Sequence, residues 1–182
     1  MNQLKMWKFD MSDIPKANIP PKYELRVIRP DEKEKWEELC LAAFKEKNSF
    51  HDRIECAKGY VEDGVFVISH GDKVIATGTA LCGSEFASEG ACVHMIAADA
   101  GYSGQKLGYE ITAATLRRIR EAGFGKAFLT TDDFRLPAIK TYRSLGFVPD
   151  LSVDETMSER WEKIYKIFGW ELLENNKKRL TL

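Results

Sequence analysis

Between Ala91 and Phe147 the hydrophobic pattern changes period at glycine-rich breaks, which limits the fold of this chain more than any other feature. ACVHMIAA (91–98) reads as a strand, and the glycine-rich run GYSGQKLG (101–108) follows it. From Gln105 to Ala122 the pattern turns helical. Tyr109, Ala113, Leu116 and Ile119 share one face, while Lys106, Glu110, Arg117 and Glu121 lie elsewhere. Gly123 and Gly125 stop that helix, and KAFLTT (126–131) is a strand again. Pro137 sits in the first turn of a second helix carrying Ala138, Ile139, Tyr142 and Leu145. Gly146 ends it, and FVP begins a further strand.

The upstream chain supplies the rest of a sheet. YELRVI (23–28) alternates like a half-buried strand, and a helix capped by Asp31 is expected over Trp36, Leu39, Cys40 and Ala43. A second short helix is expected over Phe50 to Lys58. VFVIS (65–69) and KVIATGTAL (73–81) flank His70-Gly71-Asp72 as an antiparallel hairpin. Residues 1–22 read as an N-terminal arm, because Pro15, Pro20 and Pro21 forbid a long regular element there. Residues 23–150 are expected to form the domain, and residues 151–182 a C-terminal extension packed on it. That extension carries a helix opening with the capping box Thr156-Met157-Ser158-Glu159 and an aromatic stripe of Trp161, Tyr165 and Phe168. The order of elements predicts an α/β fold of the α+β type with a mixed sheet.

Composition removes several functions. Of 182 residues, 44% are hydrophobic and 30% charged, as in a globular protein, and the net charge of −1 offers nucleic acid no basic surface. No apolar run approaches the ~20 residues that span a bilayer, so no membrane partner is expected. MNQLKMWKFDMSDIP has charges throughout and no apolar core, so it does not read as a signal peptide, and a cytoplasmic location follows as the expectation. Cys40, Cys56, Cys82 and Cys92 lack C-x-x-C spacing and are expected to be reduced, mostly buried thiols. His51, His70 and His94 are scattered, so no metal site is expected.

A glycine-rich turn opening a helix presents free backbone N–H groups at the positive end of the helix dipole, which favours phosphate or pyrophosphate. The turn lacks G-x-G-x-x-G and also G-x-x-x-x-G-K-[ST], which argues against a dinucleotide fingerprint and a nucleoside-triphosphate loop.

MIAADAGYSGQKLGYEITAATLRRI resembles motif A of the GNAT acetyltransferases, in which a turn of pattern Q/R-x-x-G-x-G/A holds the pyrophosphate of coenzyme A. TTDDFRLPAIKTYRSLGF resembles their motif B, with Ala138, Ile139, Tyr142, Gly146 and Phe147 in matching positions. The resemblance covers roughly residues 24–150. It implies a GNAT-like acyl-CoA N-acyltransferase fold, a central mostly antiparallel sheet with helices on both faces. It also implies an acyltransferase that moves an acetyl group from acetyl-CoA to a primary amine by direct transfer in a ternary complex. A small molecule or amino acid is the first expected acceptor, and a protein N-terminus or lysine the alternative. A non-catalytic acyl-CoA-binding module of the same fold is the rival reading, and a homodimer is compatible with the aromatic stripe.

The resemblance assigns the cofactor-binding positions to Ser103, Gly104, Gln105, Lys106, Leu107 and Gly108 in the turn, with the backbone of Ile96, Ala97 and Ala98 taking the pantetheine arm. Two departures stand out: Ser103 replaces the usual Arg or Gln, and Lys106 replaces the usual middle Gly. A Lys there either crowds the phosphates or contacts them in place of the missing Arg. Arg135 stands where motif B has Asn, facing coenzyme A or solvent. Asp132 and Asp133 either cap the turn or meet a cationic acceptor. Tyr142 is the proposed proton donor to the departing thiolate. The general base falls to His94, two residues beyond Cys92 and on the same strand face, or to Glu89 acting through water, with Glu85 nearby. No acyl-enzyme on Cys92 is expected, since Cys92 and His94 lack an orienting third group. The family's usual last strand has no clean counterpart between Pro149 and Ser158.

Overall fold

The structure, a computed structural model, describes residues 2–86 and 90–171. Among these residues seven strands form one sheet: β1 (Leu4–Lys8), β2 (Glu24–Val27), β3 (Val65–His70), β4 (Lys73–Leu81), β5 (Ala91–Ala98), β6 (Ala127–Thr131) and β7 (Val148–Pro149). Their order is β2-β3-β4-β5-β6-β1-β7. The helices are α1 (Lys33–Phe44), α2 (Leu107–Glu121), α3 (Leu136–Ser144) and α4 (Met157–Phe168). Every strand pair is antiparallel except β5–β6, which α2 joins as the crossover helix that parallel strands require. The mostly antiparallel mixed sheet read from the sequence is therefore present.

Helices cover both faces. On one, Trp36, Leu39 and Cys40 of α1 pack with Val65, Val67, Val74 and Ala97. On the other, Ala113, Leu116 and Ile119 of α2, Ile139 and Tyr142 of α3, and Trp161 and Tyr165 of α4 share a cluster with Leu4, Met6, Val93 and Leu129. The 3.6 period of each helix becomes a buried stripe, as the sequence implied.

The N-terminal arm is corrected by the structure. Leu4–Lys8 is an interior strand, paired with β6 from Leu4↔Thr131 to Lys8↔Ala127 and with β7 at Met6↔Pro149 and Trp7↔Val148. Leu4 and Met6 alternate into the core and are fully buried. The prolines that argued against regular structure begin at residue 15 and do not touch this strand. Residues beyond it lie against α2, where the Asn18 N–H donates to Glu110 (2.9 Å) and Arg117 donates to the Pro15 carbonyl (2.7 Å). The absent C-terminal strand thus leaves no gap beside β6, because β1 lies between β6 and β7.

Three local expectations also change. Asp31 lies in a 3-10 turn (Pro30–Glu32) and α1 begins at Lys33, with Glu32 held by Arg26 at 2.7 and 2.8 Å. Thr156 precedes α4 without capping it. Asp154 instead accepts from the Thr156 N–H and hydroxyl at 2.9 and 2.6 Å, a local side-chain to backbone closure that competes with a capping box. The helix expected over Phe50 to Lys58 is a single π-helical turn, His51–Glu55. The tail beyond residue 171 lies outside the described residues.

Candidate active site

The two ladders of β5 differ. Against β4 it pairs from Leu81↔Cys92 to Ala76↔Ala98. Against β6 it pairs only at Ala91↔Ala127 and Cys92↔Phe128. Beyond Cys92 the edge of β5 that faces β6 has no strand partner among the described residues, so its backbone polar groups are available to an extended ligand. A β-bulge between Thr77 and Thr79 lies opposite this stretch, and Met95 there adopts φ 49°. A non-glycine residue in the left-handed region costs free energy and marks sites where a strand is re-aimed. Ile96, Ala97 and Ala98 occupy the end of this free edge, with Ala97 buried toward α1.

The turn that follows leads directly to α2. Asp99 caps a 3-10 turn (Ala100–Tyr102) by accepting from the Gly101 N–H at 2.8 Å. The Ser103 N–H is taken by the Ala100 carbonyl (3.1 Å), and the Gln105 N–H by Tyr102 (3.4 Å). The Gln105 side chain is held by the Tyr23 hydroxyl. The N–H groups of Gly104, Lys106, Leu107 and Gly108 have no backbone partner among the described residues, as expected where a helix begins. Gly108 has open space where a Cβ would stand, so packing within the protein does not require glycine there. A helix start that is open at Gly104 and Gly108 and has four N–H donors without backbone partners fits a pyrophosphate.

Lys106 is the N-cap of α2 with φ 58°, a conformation glycine adopts without penalty. The position where the resemblance has glycine is left-handed in this chain, and a lysine carries the strain.

Tyr142 lies in the core on the α2–α3 face, and its hydroxyl has no hydrogen-bond partner among the described residues. Burial raises its pKa, with Arg135 acting weakly in the opposite direction, so the phenol is protonated at neutral pH. Arg135 is bound by Asp132 at 2.8 Å, and its guanidinium lies 4.9 Å from the Phe44 ring and 5.2 Å from Phe134. Asp132 also accepts from Gln3 (3.0 Å), and Asp133 is bound by Arg160. Both aspartates are thus engaged by side chains of the protein.

His94 faces the α1 side of the sheet, opposite the cluster that holds Tyr142. Its Nε2 lies 3.0 Å from the Arg53 carbonyl in the π-helical turn. A carbonyl only accepts, so Nε2 carries the proton and Nδ1 keeps the lone pair. Burial lowers the His94 pKa, and the ring is neutral at pH 7. The third proposed group, Glu89, lies outside the described residues. Burial pushes the Cys92 thiol up to about 12, which leaves it no thiolate to attack with.

Sequence reasoning missed three features. The Arg53 carbonyl orients His94 through backbone, which no side-chain pattern reveals. Phe44 meets Arg135 across a long sequence gap. Met95 carries the bulge without glycine to announce it. Among the described residues no group of His, Cys, Asp and Glu could hold a metal ion, and no helix is long and apolar enough to cross a membrane.

Comparison with known proteins agrees with this geometry. Residues 25–147 match the model of the acetyltransferase (GNAT) family. A mycothiol acetyltransferase of Nocardiopsis dassonvillei is 34% identical over 86 residues, 47% of this chain and 25% of that protein. A GCN5-related N-acetyltransferase from Kribbella flavida superposes with a TM-score of 0.57 at 22% identity, covering 81% of this chain and 54% of that one. An aminoglycoside acetyltransferase from an uncultured soil metagenomic sample gives 0.55 at 24% identity, covering 70% and 90%. The chain thus spans a quarter of its curated relative and about half of the Kribbella protein. With the family model covering most of the sheet and the whole β5–turn–α2–β6–α3 unit, the chain belongs to the GNAT acetyltransferase family.

Proposed function

We propose that this protein is an N-acetyltransferase that transfers acetyl from acetyl-CoA to a primary amine, directly and without an acyl-enzyme. The observation that carries the reading is the break in the β5–β6 ladder after Cys92, adjoining a turn with four unpaired N–H donors. Acetyl-CoA supplies the activated acyl group as a thioester. Gly104, Lys106, Leu107 and Gly108 hold its pyrophosphate through their N–H groups, with Ser103 and Gln105 shaping the turn. The Lys106 ammonium adds a charge-assisted contact and so gives a reason to keep lysine in a strained conformation. The free edge at Ile96, Ala97 and Ala98 takes the pantetheine amides, and Arg135 lies beside the opening of α3 where it meets the cofactor.

His94 takes the proton from the attacking amine at Nδ1, the nitrogen left open by the Arg53 contact. Tyr142 gives its proton to the departing sulfur, a role that suits a buried phenol with no internal partner. Glu89 is the alternative base, acting through water. Two of the similar proteins are named for mycothiol and aminoglycosides, which favours a small-molecule acceptor over a protein N-terminus or lysine. Near-neutral net charge argues in the same direction against a polyanionic partner.

Calorimetric titration with acetyl-CoA, together with free-thiol release over a panel of small amines, tests the reading. Binding with turnover supports it. Binding with no turnover on any amine supports the acyl-CoA-binding module instead, and absence of binding removes the assigned role of the 103–108 turn.

A further inference from the structure

The π-helical turn after α1, whose Arg53 carbonyl holds His94, assembles a second constellation on its other residues. His51 Nδ1 lies 2.9 Å from Glu55 Oε2, and His51 Nε2 lies 3.4 Å from Cys56 Sγ. The geometry follows from the type of turn. In a π turn the N–H of residue i+5 meets the carbonyl of residue i, and the Cys56 N–H donates to the His51 carbonyl at 2.9 Å. An α turn would place residue 55 there alone. The wider turn sets Glu55 and Cys56 side by side, one at each nitrogen of the same imidazole.

The chemical roles are fixed by the partners. Glu55 is held below the usual carboxylate range by Lys33, 2.7 Å away, and by His51, so it is ionised and accepts the proton at Nδ1. Nε2 is then the acceptor that faces the thiol. Nucleophile, base and orienting carboxylate within hydrogen-bond reach are the arrangement by which proteins activate cysteine. Lys33 from α1 is paired with Glu55, and the protonated Tyr60 in the segment leading to β3 lies near Glu55 and Glu62.

The other three thiols are silenced. Burial pushes Cys40 and Cys92 up to about 12 and raises Cys82, whereas Cys56 is exposed. Of the four free thiols, Cys56 alone is exposed.

We propose that Cys56 is a modification site, a His51-activated thiol that undergoes exchange with low-molecular-weight disulfides. His51 takes the Cys56 proton, and the thiolate attacks one sulfur of the small disulfide. The S–S bond of the reagent breaks as a new S–S bond to Cys56 forms. The leaving thiolate collects the proton from His51. Cys56 is oxidised to a mixed disulfide, and one half of the reagent is reduced to a thiol. Attack at sulfur needs only a base to take the thiol proton and access, and here His51 Nε2 faces an exposed Cys56. Acyl chemistry would also need donors for an oxyanion, and the trio supplies none. The inference stands independently of the acetyl-transfer reading.

The test uses the folded full chain with dithionitrobenzoate, followed by oxidised glutathione and intact-mass analysis. One thiol per chain reacts in a fast phase, one glutathione is gained, and Cys56→Ser abolishes both. His51→Gln reacts several-fold more slowly than wild type at pH 6, and the two rates converge at alkaline pH where any exposed thiol ionises. Glu55→Gln falls between them, and thermal melts confirm that each variant is folded. A fast phase that survives Cys56→Ser, or a His51→Gln rate equal to wild type at pH 6, overturns the proposal.

Discussion

The two halves of the sheet are built alike and joined differently. From β2 to β5 the ladder is continuous, and from β6 through β1 to β7 it is continuous again. Between them stand two residue pairs, Ala91↔Ala127 and Cys92↔Phe128. The halves hold the fold, and the seam between them is open beyond Cys92, where the proposed function places acetyl-CoA. Backbone groups that a closed sheet would consume remain available, and the strain at Met95 and Lys106 lies along the same opening. This division makes a testable separation: damage inside a half should cost stability, and damage at the seam should cost binding or turnover.

The largest expected effect lies in the second half. Met6→Ala removes a fully buried side chain from the strand that joins β6 to β7, at a cost of about 2–5 kcal/mol by urea denaturation. A cost under about 1 kcal/mol would mean that β1 is dispensable and the halves are unequal. At the seam, Tyr142→Phe lowers kcat about 100-fold, the lower end of general acid effects. Because its hydroxyl has no internal partner, the melting temperature stays near wild type. A variant with full turnover would strip Tyr142 of its role, and a large loss of stability would show that its hydroxyl serves core packing rather than chemistry.

Lys106→Gly separates strain from function at one position. Relief of the left-handed lysine stabilises the fold by up to about 1 kcal/mol, while acetyl-CoA binding weakens several-fold as the charge is lost. Tighter binding in the glycine variant would show that lysine obstructs the site. The smallest effect is pH-dependent. Burial keeps the folded His94 pKa below the ordinary 6.5, so unfolded chains bind this proton more readily. Its contribution is fully present above pH 6.5 and is lost as pH falls below that value toward the folded pKa. His94→Gln should flatten that part of the stability curve, read from urea midpoints between pH 5 and 7. An unchanged slope would place His94 in solvent.

The seam was more legible in the sequence than the second half of the sheet. Its parts are adjacent in sequence: β5, the turn and α2 each announce themselves by period or glycine, and Tyr142 falls at helical spacing nearby. Strand β1 gave an alternation of five residues, but its partners lie more than a hundred residues away, and local pattern carries no information about such pairing. Lys106 was legible as a departure, whereas its left-handed backbone was not, because a lysine does not advertise positive φ as glycine does. The π turn at His51–Glu55 looked helical for the same reason: its apolar spacing hardly differs from that of one α turn. Glu89 lies outside the described residues, and its role stays a proposal.

The position of β1 bears on how the chain reaches this state. Residue 4 must find residue 131, so closing this part of the sheet bridges well over a hundred residues. Such a closure carries a large entropic cost before any contact rewards it, which slows folding. During synthesis Leu4–Lys8 emerges before the rest of the sheet and must wait, unpaired, until β6 and β7 have followed. The β2–β5 ladder can assemble meanwhile from neighbours in sequence. The ligand seam therefore lies between an early-folding unit and a late one, and a chain stalled before β6 would expose the apolar edge that chaperones recognise.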